Sequence, residues 1–378
     1  MNPKNKEGKH KHTVSTIAVF PMTTLKKGSY PDVLYSILRS KYGLEIVHPQ
    51  VSGLVAFFSQ LIRRRPIIHI HWIEHKYTLG LAGSLDRFSK FIIVFIALIF
   101  IVALLSFKLL GCKVVTTLHN IVPHKPLLYD FEYAVFRITL CLSAVIFVHG
   151  EHAASVATKF YNLPKEKVVK IPLGNMQYLR KQTYDKSQAR RVLSIDCDSF
   201  VICYVGRISP DKGLHCLLEA LNGLRTHRTI YVIIAGPVAD KRYLQKISHL
   251  INNLKASIKV LLHARWVSED ELSLFIEACD VGVLPYVRTT TPSSVLLFMS
   301  FGKPVIAPAF PAVRELTGDE NPLLYDGTIT GLRKAIEKAV LMSDLDKLGE
   351  RALSRAQLFS WDRLALITYK SYLKMLKN

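Results

Sequence analysis

The sequence predicts an α/β protein built from two doubly wound, parallel sheets. Three observations carry that reading. Short apolar, β-branched runs alternate with stretches long enough for helices. The runs are continuously apolar rather than alternating, as in strands covered on both faces. The 378 residues are enough for two or three domains, and the strand–helix alternation recurs on both sides of a polar stretch that follows Leu173-Gly174-Asn175.

Met1 to Lys11 is polar and Lys-rich without an apolar core, so it reads as a solubilising tail and not a secretory signal. Strands are then expected at Thr16–Phe20, Glu45–Val47, Ile67–His71, Lys113–Leu118, Val145–Val148 and Val168–Ile171. Phe91 to Phe107 is an apolar run broken only by Ser106. About 17 residues is the lower limit for crossing a bilayer. A crossing would separate strands that one sheet needs together. A helix packed on the sheet by one face, with the other in the membrane interface, fits better. Length alone suits a fully buried core helix equally well. Arg63, Arg64, Arg65, Arg87, Lys90 and Lys108 nearby favour an anionic membrane surface.

In the second half, strands are expected at Phe200–Val205, Thr229–Ala235, Lys259–Leu262, Val281–Pro285 and Pro304–Ala307. Helices are expected at Gly213–Leu224, Asp240–Leu254, Glu269–Ala278 and Ser294–Phe301. Arg180 to Asp198 reads as a linker plus an exposed helix. From Phe359-Ser360-Trp361-Asp362 onward the pattern is a terminal amphipathic helix with Ser360 as N-cap. The expected domains are residues 1–176 and 177–357, with 358–378 as the closing helix.

Apolar residues at 49% and charged residues at 21% exclude a disordered, collagenous or low-complexity chain. Lys and Arg number 50 against 29 Asp and Glu, a formal net charge of +21. Residues 1–178 alone carry 22 basic and 9 acidic side chains. Such a surplus favours anionic partners. No nucleic-acid recognition motif accompanies it, so nucleic acid is not expected among them. Six cysteines, none spaced C-x-x-C, argue against a disulfide framework or zinc site and for a reducing compartment.

The segment Cys203-Tyr204-Val205-Gly206-Arg207-Ile208-Ser209-Pro210-Asp211-Lys212-Gly213-Leu214 is the most informative. A strand ends, Gly206 turns the backbone, and Arg207 and Lys212 emerge on one loop before a helix. Two cations beside a helix start suit a diphosphate; an ordinary solvated loop is the bland alternative. A second strand end, at Leu284-Pro285, leads through Arg288 and Thr289-Thr290-Thr291 to Ser293 and Ser294 at a helix start. Its hydroxyls and amides would form a second anion cradle, or merely cap the helix. Two cradles in one half, each just after a strand, favour a phosphate-bearing ligand.

With these motifs the chain resembles GT-B nucleotide-sugar glycosyltransferases, most closely glycosyltransferase family 4. The likeness is carried by VGRISPDKGLHCLLEAL and LPYVRTTTPSSVLLFMSFGKPVIAP. The first half adds HIHW, KVVTTLHNIVPHK and VVKIPLGN, and the end adds FSWD, in the family's order. The resemblance implies two Rossmann-like domains facing a cleft, with the donor held by the C-terminal one. Arg207 and Lys212 match the family's diphosphate pair, Ser293 and Ser294 its distal-phosphate contacts, and Gly206 and Thr291 its donor-site loops. His119 matches a histidine facing the donor sugar; His124, five residues on, is the second catalytic candidate. The family needs no metal and no cofactor beyond its UDP- or GDP-sugar co-substrate. One departure stands out: two glutamates that many retaining members carry fall here on Thr289 and Leu297. Stereochemistry therefore does not carry over, and an inverting enzyme would need a base, from among His119, His124, Asp130, Glu132 and Glu151. His69, His71 and His75 are expected to wall the acceptor cleft.

The expected function is sugar transfer to a lipid-linked or membrane-proximal glycan acceptor, by an enzyme peripheral on the cytoplasmic face of the cell membrane. A nucleotide-sugar epimerase and a catalytically inactive membrane-bound scaffold are the alternatives.

Overall fold

The computed structural model describes residues 18–22, 27–46, 62–63, 65–78, 87–121, 128–180 and 184–377. The first elements are β1 (Ala18–Met22), α1 (Tyr30–Tyr42), β2 (Glu45–Ile46), β3 (Ile67–His71), α2 (Arg87–Leu109), β4 (Val114–Leu118), α3 (Tyr129–Leu142), β5 (Val145–His149), α4 (Glu151–Tyr161) and β6 (Val168–Ile171). Next come α5 (Lys186–Val192), β7 (Phe200–Val205), α6 (Leu214–Asn222), β8 (Ile230–Ala235), α7 (Lys241–Asn252), β9 (Ile258–His263), α8 (Glu269–Ala278), β10 (Val281–Val283) and α9 (Ser293–Ser300). The chain ends with β11 (Val305–Pro308), α10 (Pro311–Thr317), β12 (Leu324–Tyr325), α11 (Ile329–Leu341), α12 (Leu345–Ala356) and α13 (Trp361–Lys377).

The strands form two six-stranded sheets, ordered β2-β1-β3-β4-β5-β6 and β12-β11-β10-β7-β8-β9. Neighbours run parallel, with registers such as Ile68↔Val114 and Cys203↔Ile233. β3, β4, β5 and β8 are buried along their whole length, which explains their unbroken apolar character. In the second sheet the winding direction reverses between β7 and β10. Successive connections there leave toward opposite faces and open a crevice at the strand ends. In the first sheet the reversal lies between β1 and β3. The chain divides into two compact units: one comprises Met1–Thr117, Lys125–Ile146 and Ile367–Asn378, the other Leu118–His124 and Phe147–Leu366.

Several expectations change. β12 was not foreseen, because two residues carry no periodicity; it pairs with β11 through Ala307↔Leu324. α6 starts at Leu214, since Gly213 holds φ +72 and closes the preceding 3-10 turn. The helix α5 is exposed at Ser187, Gln188, Arg191 and Val192, as expected, but Ala189 and Arg190 are buried, and Arg190 donates to Asp280, Ala278 O and Cys197 O at 2.7, 3.0 and 2.7 Å. α2 is not a fully buried core helix. One stripe is in the core, with Ile93, Ala97 and Leu104 at 0% exposure, while Phe91, Phe95 and Val102 on the other are 67%, 56% and 61% exposed. The terminal helix starts as expected, with Ser360 Oγ accepting from Arg363 N at 3.2 Å. Parts of two expected strands, Thr16 and Ile17 of one and Val47 of the other, lie outside the described residues.

Candidate active site

The two motif loops leave β7 and β10, the strands on either side of the reversal, so they meet. The β7 loop is pinned by Ile208 N to Pro237 O at 2.9 Å and by Tyr204 Oη to Arg207 O at 2.8 Å. A Cβ on Gly236 would lie 2.0 Å from Gly206 O, and one on Gly213 would lie 1.8 Å from Pro285 O. Glycine at both places lets backbone touch backbone. Val287 N donates to Asp211 O at 3.1 Å and ties the loops together.

Lys212 is held at this junction. Its side chain is 20% exposed; its Nζ lies 3.8 Å from Asp211 Oδ2 and 4.9 Å from the Tyr286 ring centre. Burial lowers its pKa, Asp211 opposes that shift, and Arg207 adds to it. Arg207, on the same loop, is half-buried. A cavity of about 210 Å³ opens beside Lys212, lined by Asn120, Ile121, Asp211, Lys212, Arg288, Thr289, Thr290 and Thr291; Arg207 is not in its lining. Lys212 and Thr291 are therefore brought together. Arg288 adds a cation to which the sequence assigns no role.

Ser293 and Ser294 do not cap α9. They are its first two residues, Pro292 occupies the cap position, and no side chain caps it. The Ser293 amide turns back on Thr291 O at 2.9 Å. The Ser294 hydroxyl bonds the buried Tyr286 phenol and faces Gly206, 3.7 Å from where a Cβ would stand. Ser293 is exposed.

His119 follows β4, one residue before the cavity-lining Asn120. Its Nδ1 lies 3.2 Å from Nε2 of His149, the last residue of β5. His124 lies outside the described residues. Among the other base candidates, Glu132 is buried and accepts from Leu128 N at 3.0 Å and Tyr77 Oη at 3.4 Å. Glu151 pairs with Lys170, and Asp130 is exposed in the first turn of α3. His69 and His71 are not a cleft wall. Both are at 0% exposure in the first sheet's core. Tyr35 Oη reaches both rings at 2.7 and 2.9 Å, Tyr372 Oη meets His69 at 2.6 Å, and Thr117 takes the other His69 nitrogen at 2.8 Å. Burial lowers the His69 pKa to about 3. His75 is exposed and stacks on Trp72, which holds φ +49, an uncommon conformation for a bulky residue, at the end of β3.

Residues 185–355 match the family described as Glycosyl transferases group 1. That match takes in just under half of the chain, and the fold is that of GT-B glycosyltransferases. It is 24% identical over 332 residues to the GDP-mannose:glycolipid 4-beta-D-mannosyltransferase of Xanthomonas campestris pv. campestris, covering 85% of this chain and 84% of that one. It is 26% identical over 215 residues to the lipopolysaccharide 1,2-N-acetylglucosaminetransferase of Salmonella typhimurium, covering 54% and 55%. Among solved structures, Anabaena HepE in complex with UDP and glucose is similar at a TM-score of 0.67 and 18% identity, over 95% of this chain and 100% of that one. The group 1 match contains both motif loops, with Arg207, Lys212 and Arg288.

Proposed function

We propose that this glycosyltransferase moves a sugar from a UDP- or GDP-sugar onto a lipid-linked or membrane-proximal glycan. The observation that carries the reading is the junction at the second sheet's reversal, where Lys212 and Arg288 line a hydroxyl-rich cavity and Arg207 stands on the same loop as Lys212. The donor diphosphate lies against these cations and the hydroxyls of Thr291 and Ser294. As the anomeric C–O bond breaks, negative charge builds on the departing diphosphate and is stabilised there. With no carboxylate at 289 or 297, His119 is the proton acceptor for the incoming hydroxyl, and the configuration inverts. The relatives are transferases by description, which favours transfer over the epimerase and scaffold alternatives.

Titration calorimetry with UDP and GDP tests the clamp directly. One of them should bind, and Lys212→Ala should weaken it by about 10–100-fold, the worth of a lost charge-assisted bond. The same variant should lose most turnover with radiolabelled UDP-glucose or GDP-mannose and polyprenyl-diphosphate glycans. Normal turnover would refute the role of that cation.

We also propose that the enzyme is cytoplasmic and lies on the inner face of the cell membrane through α2. Phe88, Phe91, Phe95, Leu98, Val102 and Leu105 form one exposed apolar stripe, with exposed Lys90 and Lys108 at its ends. A helix seated in the core by Ile93, Ala97 and Leu104 suits lying in the interface better than crossing it. Sedimentation with vesicles containing anionic phosphatidylglycerol should show salt-sensitive binding. Phe91→Glu with Phe95→Glu should cut it more than about tenfold, since each buried Phe is worth about 1.5–3 kcal/mol. Equal binding by the double variant would remove α2 from the interface.

A further inference from the structure

We propose that His149 is a positioning residue that fixes His119 in the tautomer a proton acceptor needs; the inference rests on the base assignment above. β4 and β5 are neighbours in the first sheet, so the residue after one and the last residue of the other come together. Their ring centres are 5.1 Å apart.

The tautomers follow by elimination. His149 Nδ1 lies 3.3 Å from Pro172 O, and a carbonyl only accepts, so Nδ1 carries a hydrogen. Burial lowers the His149 pKa to about 4, so at neutral pH its Nε2 carries the lone pair. That Nε2 is 3.2 Å from His119 Nδ1. His119 must therefore donate through Nδ1, which puts its own lone pair on Nε2. The following loop is anchored as well: Tyr161 Oη donates to Ile121 O at 2.6 Å.

In the transfer, the acceptor hydroxyl proton goes to His119 Nε2. The acceptor oxygen's electron pair forms the new bond to the anomeric carbon. The anomeric C–O bond to the diphosphate breaks, and its pair leaves with the diphosphate. The His119 imidazolium keeps its Nδ1–H bond to His149, whose low basicity stops it from taking that proton. The arrangement is an orienting chain from carbonyl to imidazole to imidazole, with the same task as the carboxylate in a hydrolase triad.

The test uses the full chain labelled with ¹⁵N-histidine. Long-range ¹H–¹⁵N spectra should show His119, assigned by its loss in His119→Ala, as the Nδ1–H tautomer. His149→Phe, which has no acceptor, should abolish that signature. It should also lower kcat by about 10–100-fold, within the range for general base catalysis, leaving the affinity for UDP or GDP unchanged. His149→Gln, whose amide oxygen can accept, should restore part of both. A His119 spectrum of the Nε2–H type, or wild-type kcat in His149→Phe alongside an inactive His119→Ala, overturns the positioning role alone. Wild-type turnover in His119→Ala overturns the base assignment, and this inference with it. Should His149→Phe fail to fold, the wild-type spectrum and His149→Gln decide.

Discussion

Burial lowers the pKa of Lys212, Asp211 pulls it back up, and Arg207 lowers it further. Without an anion, the ammonium is a charge the fold would rather not hold. Lys212→Met should accordingly keep or raise the urea midpoint at pH 7 while losing diphosphate affinity. The sign with pH follows from linkage. The folded pKa lies below the ordinary 10.5, so the penalty is complete while folded and unfolded chains both carry the proton. Between the lowered value and 10.5 the folded chain releases its proton first, so wild type gains on Lys212→Met from pH 7 to 10. A variant less stable than wild type at pH 7 would instead make Lys212 a structural ion-pair partner. At this scale the loop positions of Lys212 and Thr291, which line one cavity, were legible from the two strand ends that precede them, and Arg207 stands outside that lining. Arg288 was passed over because an arginine on an exposed loop reads as solvated. His149 was passed over because a histidine in an apolar strand reads as satisfied core.

Two glycines of nearly equal backbone angle separate strain from crowding. Gly213 and Gly302 hold φ +72 and +70. A Cβ on Gly302 would meet nothing nearer than 3.8 Å, whereas one on Gly213 would strike Pro285 O. Gly302→Ala should cost about 1–2 kcal/mol, the left-handed penalty alone. Gly213→Ala should cost more and also weaken diphosphate binding, because Pro285 must move. Equal losses in urea unfolding would show that the two loops yield without cost. Strand positions were largely readable from apolar runs, and β12 was not. The α9 start misled for a physical reason: Ser and Thr are common caps, but Pro292 takes that position and the Ser294 hydroxyl is engaged by Tyr286. Two motifs far apart in sequence also prove to be one feature, for Asn175 N donates to Phe359 O and Trp361 Nε1 to Asn175 O, both at 2.7 Å.

For the whole molecule, His69 and His149 set an acid limit. Burial lowers their pKa values to about 3 and about 4, so both stay neutral in the fold but charge below about 6.5 once unfolded. Stability is complete above 6.5 and lost as pH falls toward 4 for His149 and toward 3 for His69, about 2 kcal/mol for each histidine at pH 5. Urea denaturation at pH 7 and pH 5 measures it, and equal stability at both would place these rings in water. The α/β class was legible from the alternation of runs, but the strand order was not. Periodicity identifies a strand and says nothing of its neighbours, so the reversal between β7 and β10 that brings the two motif loops together needed the structure. The hydrogen bond from Tyr372 to His69 spans 303 residues of sequence. Its two partners leave the ribosome about 15–60 s apart at ordinary rates of synthesis. The nascent first sheet therefore waits, with His69 lacking one of its two phenol partners, until residue 372 has been made.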